Sequence, residues 1–184
     1  MQHTVPRMDP VQARAWLALV STAELLPAAL DQQLTADAEL INFEYGILGI
    51  LVAADDQTLR MGELADALGS PAPRLSKAVT RLEGRNLVER VACDGDRRSI
   101  NVHLTRDGRR AWLRATPPHI TLARDTILAD LGPDQLASLA DLLEIVLARL
   151  DPKRAIGRVP PTSASGEDRP HPASDPHPNP SNTS

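Results

Sequence analysis

The stretch Leu64-Ala65-Asp66-Ala67-Leu68-Gly69-Ser70-Pro71-Ala72-Pro73-Arg74-Leu75-Ser76-Lys77-Ala78-Val79-Thr80-Arg81-Leu82 sets the architecture of this chain. Leu64, Ala65 and Leu68 share one face of a short helix opening near Met61, and Gly69 is the residue type that ends a helix without steric penalty. Ser70 and Pro71 supply the start of a second helix. There Leu75, Val79 and Leu82, at spacings of four and three, form a buried stripe that leaves Arg74, Ser76, Lys77, Thr80 and Arg81 outward. Two such helices joined by a tight turn make a helix-turn-helix. Its outward side chains suit a DNA groove: Lys77 and Arg81 donate to guanine or phosphate oxygens, and the hydroxyls of Ser76 and Thr80 contact either class, as does Ser70 at the helix start. On the helix pattern alone, a plain solvated surface explains them equally well.

The segment after the second helix separates the two readings. Leu87 to Ala92 and Ser99 to Leu104 alternate in rough period two around the turn Asp94-Gly95-Asp96, which predicts a two-stranded hairpin attached to the helix-turn-helix. Arg97 and Arg98 lie beside its tip, where a guanidinium reaches a narrow, electronegative minor groove and Asp96 is placed to hold it. Arg98 is the expected minor-groove probe and Arg97 a phosphate contact; a salt bridge from Arg98 to Asp94 or Asp96 is compatible with both.

Charge supports the same segment. The chain of 184 residues carries a net charge of −4, unpromising for a polyanion partner until it is divided. Residues 1–73 hold 3 basic and 10 acidic side chains, residues 74–114 hold 11 and 5, and residues 115–184 hold 6 and 9. The excess of positive charge is therefore confined to the helix, hairpin and adjoining segment, where each cation near a phosphate releases condensed counterions.

Outward from this centre the periodicity is helical. Val11, Ala15, Leu19, Thr22, Leu26 and Leu30 define an amphipathic first helix, with Trp16 and Val20 on an adjacent strip and a kink expected at Pro27. Asn42 is the expected cap of a second helix with Tyr45, Leu48 and Leu51 inward, ending near Asp55-Asp56. Pro117-Pro118 is expected to kink or split the helix after the hairpin. A last helix from Asp134 to Leu150 carries Leu136, Leu139, Ala140, Leu143, Val146, Leu147 and Leu150, more apolar surface than one small lobe covers, which predicts a partner helix.

These residues resemble the MarR (multiple antibiotic resistance regulator) type of transcription factor. Asp96-Arg97-Arg98-Ser99-Ile100-Asn101-Val102-His103-Leu104-Thr105 matches that family's D-x-R-x5-L-T wing signature, with Gly108-Arg109 opening the next helix. Glu63-Leu64-Ala65, Leu75-Ser76, Arg81-Leu82-Glu83, Leu87-Val88-Glu89-Arg90 and Trp16 also fit. The resemblance spans roughly residues 11–150. It implies a mainly α fold with a small β-hairpin wing, a winged helix-turn-helix lobe at about 41–104, and dimerisation helices at about 11–35 and 105–150. It also implies a homodimer on a pseudo-palindromic double-stranded operator, acting as a repressor. Relatives of this type are released from DNA by small aromatic or phenolic ligands, for which Arg14, Trp16, Tyr45 and His119 are the candidates here.

Several classes are disfavoured. The sequence has no glycine-rich phosphate loop, no G-x-S-x-G nucleophile motif and no metal-ligand spacing among its five histidines, so neither an enzyme nor a cofactor or metal is expected. A winged helix used only for protein contact is the nearer rival. The single cysteine, Cys93, allows no internal disulfide and, flanked by Asp94 and Asp96, is expected to be a bystander. Residues 1–10 are expected to be a flexible start, with neither a secretory signal nor an apolar run of membrane-spanning length, so a cytoplasmic protein without membrane contact is expected. From Pro152 onward eight of the sixteen prolines gather, and the apolar residues beyond Pro161 are Ala164 and Ala173; such a tail, residues 151–184, is expected to stay disordered.

Overall fold

The computed structural model describes residues 7–93 and 96–152, without the side chains at 93 and 96–99. The tail beyond 152, the first six residues and the side chains of Cys93, Arg97 and Arg98 lie outside the described residues. The elements run α1 (Pro10–Ala38), α2 (Asn42–Ala53), β1 (Thr58–Arg60), α3 (Met61–Ala67), α4 (Ala72–Gly84), β2 (Val88–Cys93), β3 (Asp96–Leu104), α5 (Arg106–Leu122) and α6 (Pro133–Leu150).

The core belongs to the middle of the chain. Leu75, Ala78, Val79 and Leu82 of α4 are buried together with Ile47, Leu48 and Leu51 of α2, Leu64 of α3, Val88 of β2, Val102 and Leu104 of β3, and Ala111 and Ala115 of α5. The turn between α3 and α4 is the one that the glycine requires. Gly69 has φ 55°, and Ser70 N–H reaches Ala65 C=O at 2.9 Å while Gly69 N–H reaches Asp66 C=O at 3.0 Å, closing the helix end. Ser70 does not cap α4, which starts at Ala72 behind Pro71 with no side-chain cap bond. Pro73 sits in the first turn, where a missing N–H costs nothing.

The sheet has three antiparallel strands in the order β1-β3-β2. The hairpin partners are as expected, with Val88 opposite Leu104 and Ala92 opposite Ile100, although Asp96 belongs to β3 rather than to the turn. The segment read as a short connector before α3 is strand β1, which pairs Thr58 with His103 and Arg60 with Asn101. Thr58 Oγ1 and His103 Nδ1, 2.8 Å apart, tie the two strands by their side chains as well. At the other end of β3, Thr105 caps α5 by accepting from Gly108 N–H at 3.0 Å. A Cβ on Gly108 would stand 2.0 Å from Leu87 C=O, so this contact between α5 and the base of β2 needs glycine.

The flanking helices depart from expectation in three ways. Asp9 caps α1 by accepting from Val11 and Gln12 N–H at 2.8 and 2.9 Å, so Asp9 and Pro10 belong to the helix rather than to a flexible start. α1 runs as one helix of 29 residues with Pro27 inside it. The cap position of α2 falls on Ile41, not Asn42, whose N–H is taken by Asp31 at 2.6 Å. α5 likewise continues through Pro117 and Pro118 to Leu122 before a π-helical turn at Ala123–Ile127; its packing on α1 and α2 outweighs the lost helical bonds.

α6 buries none of its residues, and α1 buries only Leu34. Leu25 is 70% exposed and Leu150 76%, with Val11, Leu17, Leu142, Ile145 and Leu147 also exposed. α1 contains an 18-residue window of mean hydropathy 1.2, so by length and composition it is long and apolar enough to cross a membrane, contrary to the sequence expectation.

Candidate nucleic-acid interface

α4 turns Arg74, Ser76, Lys77, Thr80 and Arg81 to the surface opposite its buried stripe, as expected. Their surroundings divide them into two sets. On the side facing β2, Arg90 reaches across the helix: its Nη2 donates to Ser76 C=O at 3.2 Å and to Thr80 Oγ1 at 3.0 Å, while Nη1 pairs with Glu83. Thr80 Oγ1 also donates to Ser76 C=O at 3.0 Å. The Thr80 hydroxyl is thus engaged within the protein, and Arg90, which sequence reasoning did not single out, joins the wing to the exposed face of α4.

On the side facing α2, the cations gather around a shallow cleft of about 350 Å³ lined by Ile41, Phe43, Pro73, Arg74, Lys77 and Arg81. The Arg74 guanidinium lies 4.3 Å from the centre of the Phe43 ring, a cation–π geometry that holds an exposed arginine by its flat face. Arg81, expected simply to face outward, is 54% exposed and donates from Nε to Glu44 Oε1 at 2.8 Å. Glu44 is buried in the first turn of α2 and was also missed. Its signal is in the sequence, because Glu44 stands three, four and seven residues before Ile47, Leu48 and Leu51 and so shares their inward face. A carboxylate on such a stripe requires a cation nearby. Ser70 is half-buried beside the turn, its hydroxyl 3.5 Å from Pro71 C=O.

Of the four candidate ligand-binding residues, the structure brings together two. The rings of Tyr45 and His119 lie 4.5 Å apart at 45°, Tyr45 Oη is 3.2 Å from Thr116 Oγ1, and His119 Nδ1 is 3.2 Å from Gln33 Oε1. Burial holds the His119 imidazole below its ordinary pKa, because the charged form loses solvation there. Arg14 and Trp16 do not join them. Trp16 is 52% exposed and precedes Gln33 by seventeen residues on the same helix, about 25 Å along its axis. The residue that does join is Trp112, stacked on Tyr45 with centroids 6.1 Å apart at 14°. Its indole Nε1 is buried without a hydrogen-bond partner, close enough to Gly49 that a Cβ there would lie 3.0 Å away. An open cleft of about 650 Å³ adjoins this cluster between α5 and α6, lined by His119, Ile120, Arg124, Leu128 and Leu136 among others.

Comparison with known proteins agrees with this geometry. A model of the MarR family matches residues 40–99, from the start of α2 to the wing. The crystal structure of Sco3205, a MarR family transcriptional regulator from Streptomyces coelicolor in complex with DNA, is 32% identical and superposes with a TM-score of 0.76, covering 82% of this chain and 94% of that one. AbsC, a MarR family transcriptional regulator from the same organism, is 29% identical with a TM-score of 0.73, covering 79% of this chain and 98% of that one. The S. aureus MepR–DNA complex, at 23% identity and a TM-score of 0.64 over 73% of this chain and 96% of that one, shares the fold. With 32% identity to Sco3205 over nearly the whole of that protein, and the wing and helix-turn-helix in place, the chain belongs to the MarR family of transcriptional regulators.

Proposed function

We propose that the protein is a homodimer that binds a pseudo-palindromic DNA operator and represses transcription from it. The observation that carries the DNA-binding reading is α4 itself: one face buries Leu75, Ala78, Val79 and Leu82, and the opposite face presents Arg74, Lys77 and Arg81 beside a two-stranded wing. In a winged helix such a face enters the major groove while the wing tracks the backbone. Lys77 and Arg74 read or neutralise the groove, Arg81 meets phosphate, and Arg97 and Arg98 extend the contact along the wing; Ser70 and Ser76 add short-range contacts at the helix start. Thr80 acts through its bond to Arg90. The DNA complex of Sco3205 supports this assignment.

The uncovered faces of α1 and α6 support the dimer. Apolar side chains that remain exposed on both terminal helices are covered when a second copy supplies the same helices, and twofold symmetry then sets two copies of α4 about one DNA turn apart. This places the apolar face of α1 against protein, in the cytoplasm, rather than in lipid. Residues 41–104 then read DNA, and 10–38 with 106–150 dimerise. The Tyr45, His119 and Trp112 cluster is the proposed seat of a small aromatic or phenolic effector, with Trp112 replacing Arg14 and Trp16. An effector releases DNA only if it prefers the unbound conformation, so calorimetry should give weaker ligand binding with operator present.

Selection of bound duplexes from a random pool tests the core reading. An inverted repeat with half-sites about ten base pairs apart is the expected result; failure to enrich any sequence, with no salt-dependent affinity for duplex DNA, would leave a protein-contact module in its place.

A further inference from the structure

Among the described residues Glu44 is the one buried charged side chain, and its carboxylate faces the surface that is proposed to meet DNA. Oε1 accepts Arg81 Nε–H at 2.8 Å. Oε2 accepts Ile41 N–H at 3.3 Å and lies 4.0 Å from Arg85 Nη1, which donates to Glu39 C=O at 2.6 Å. One carboxylate therefore closes the first turn of α2 and grips the outward arginine of α4.

We infer that Glu44 is a positioning residue for DNA contact: it fixes the Arg81 guanidinium through its Nε edge and leaves the Nη donors directed to a backbone phosphate. The inference rests on the DNA-binding reading above. Three observations lead to it. First, a purely structural role does not call for a buried ion pair, because apolar residues of similar volume serve as well or better at such places, and Glu44 already lies on an apolar stripe. Second, capping α2 uses one oxygen only, and the other is engaged by Arg81. Third, Arg81 remains 54% exposed although it is held, so a long side chain that would otherwise be ordered only on binding is ordered beforehand. The neighbouring cation on the same cleft is held in the same sense, Arg74 by the ring of Phe43. The cleft between α2 and α4 is thus a preset seat for a phosphate.

The sign of the effect separates this from simple charge. Removing a carboxylate near a polyanion strengthens binding if only net charge matters, whereas loss of positioning weakens it. The test measures fluorescence anisotropy of a duplex that the protein itself selects from a random pool, for wild type, Glu44→Gln, Arg81→Ala and the double variant, each over a salt series. Glu44→Gln retains an acceptor for Ile41 N–H and the side-chain shape. It is expected to weaken binding roughly tenfold, the size of one charge-assisted hydrogen bond, and to have no further effect once Arg81 is alanine. Unchanged or tighter binding by Glu44→Gln overturns the inference, as does an equal loss in the Arg81→Ala background. If the Gln variant does not fold, Arg81→Lys replaces it: that variant keeps the charge but not the planar fork, and unchanged affinity overturns the proposal. A wild-type protein that retains no duplex refutes the DNA-binding reading itself and is told apart by that alone.

Discussion

The lobe built from α2, α3, α4 and the sheet and the lobe built from α1 and α6 both carry apolar side chains at helical spacing but are finished differently. In the first, the stripes of α2 and α4 close on each other, with Leu48, Leu51, Leu64, Val79 and Leu82 fully buried, and Arg81 and Arg90 at its edge pair with Glu44 and Glu83. In the second, leucines stand in water along both helices and no residue of α6 is buried. Amphipathic periodicity therefore reports which face a helix must cover, not what covers it. The first lobe is completed by its own chain; the second leaves its apolar face open, for the second copy that the proposed dimer supplies.

Four experiments put that contrast at risk. Leu143→Asp with Leu147→Asp puts charge on the uncovered face; since fully burying a leucine contributes about 1.5–3 kcal/mol and these two are 39% and 52% exposed, losing both on each of two copies removes roughly 3–5 kcal/mol of association. Sedimentation should then give a monomer whose helix-turn-helix lobe still melts cooperatively, and a persistent dimer would dissolve the distinction between the lobes. Gly108→Ala strikes the joint between α5 and the self-completed lobe, where a Cβ would lie 2.0 Å from Leu87 C=O. A loss of about 2–3 kcal/mol is expected by denaturant titration, with the dimer intact. Lys77→Ala with Arg98→Ala tests the rim of that lobe: DNA affinity should fall by about 1–3 kcal/mol for each base-contacting side chain and the salt slope should flatten, while thermal stability stays put.

The smallest effect concerns His119, at the meeting of α5 with α1. Its folded-state pKa is lowered by burial, so the unfolded chain binds the proton more readily. The stability it contributes is present above the unfolded value of about 6.5 and is lost as pH falls through and below it. Thermal melts between about pH 7.5 and pH 5.5, either side of that value, should show a modest decline that His119→Gln flattens; an unchanged slope in that variant would assign the decline to other groups.

The same contrast explains what the sequence disclosed. The determinants of the first lobe are local: Leu75, Val79 and Leu82 define α4 by spacing, Gly69 ends α3 by its φ, and the wing arises from alternation about a turn. Features that depend on distant residues were hidden. β1 is three residues long, too short for an alternation signal, and exists through its pairing with β3. Asn42 stands at the first helical position of α2, where its otherwise unpartnered N–H is met by Asp31, eleven residues earlier. Pro117 and Pro118 sit inside α5 because packing on α1 and α2 holds the helix, which local rules do not register. At the interface the outward residues of α4 were legible, whereas their partners Glu44, Phe43 and Arg90 come from other elements. Of the ligand-site candidates, Tyr45 and His119 come together, whereas Trp16 is aromatic and on the right helix but lies turns away from Gln33 and His119.

If a second copy closes the incomplete lobe, and thereby sets two reading heads on one operator, stoichiometry must show it. Sedimentation of the intact protein, free and with its selected duplex, should give two chains in the absence of DNA and two chains on each inverted repeat. A free monomer, or a single chain saturating the duplex, would mean that the exposed leucines of α1 and α6 are not covered by a second copy.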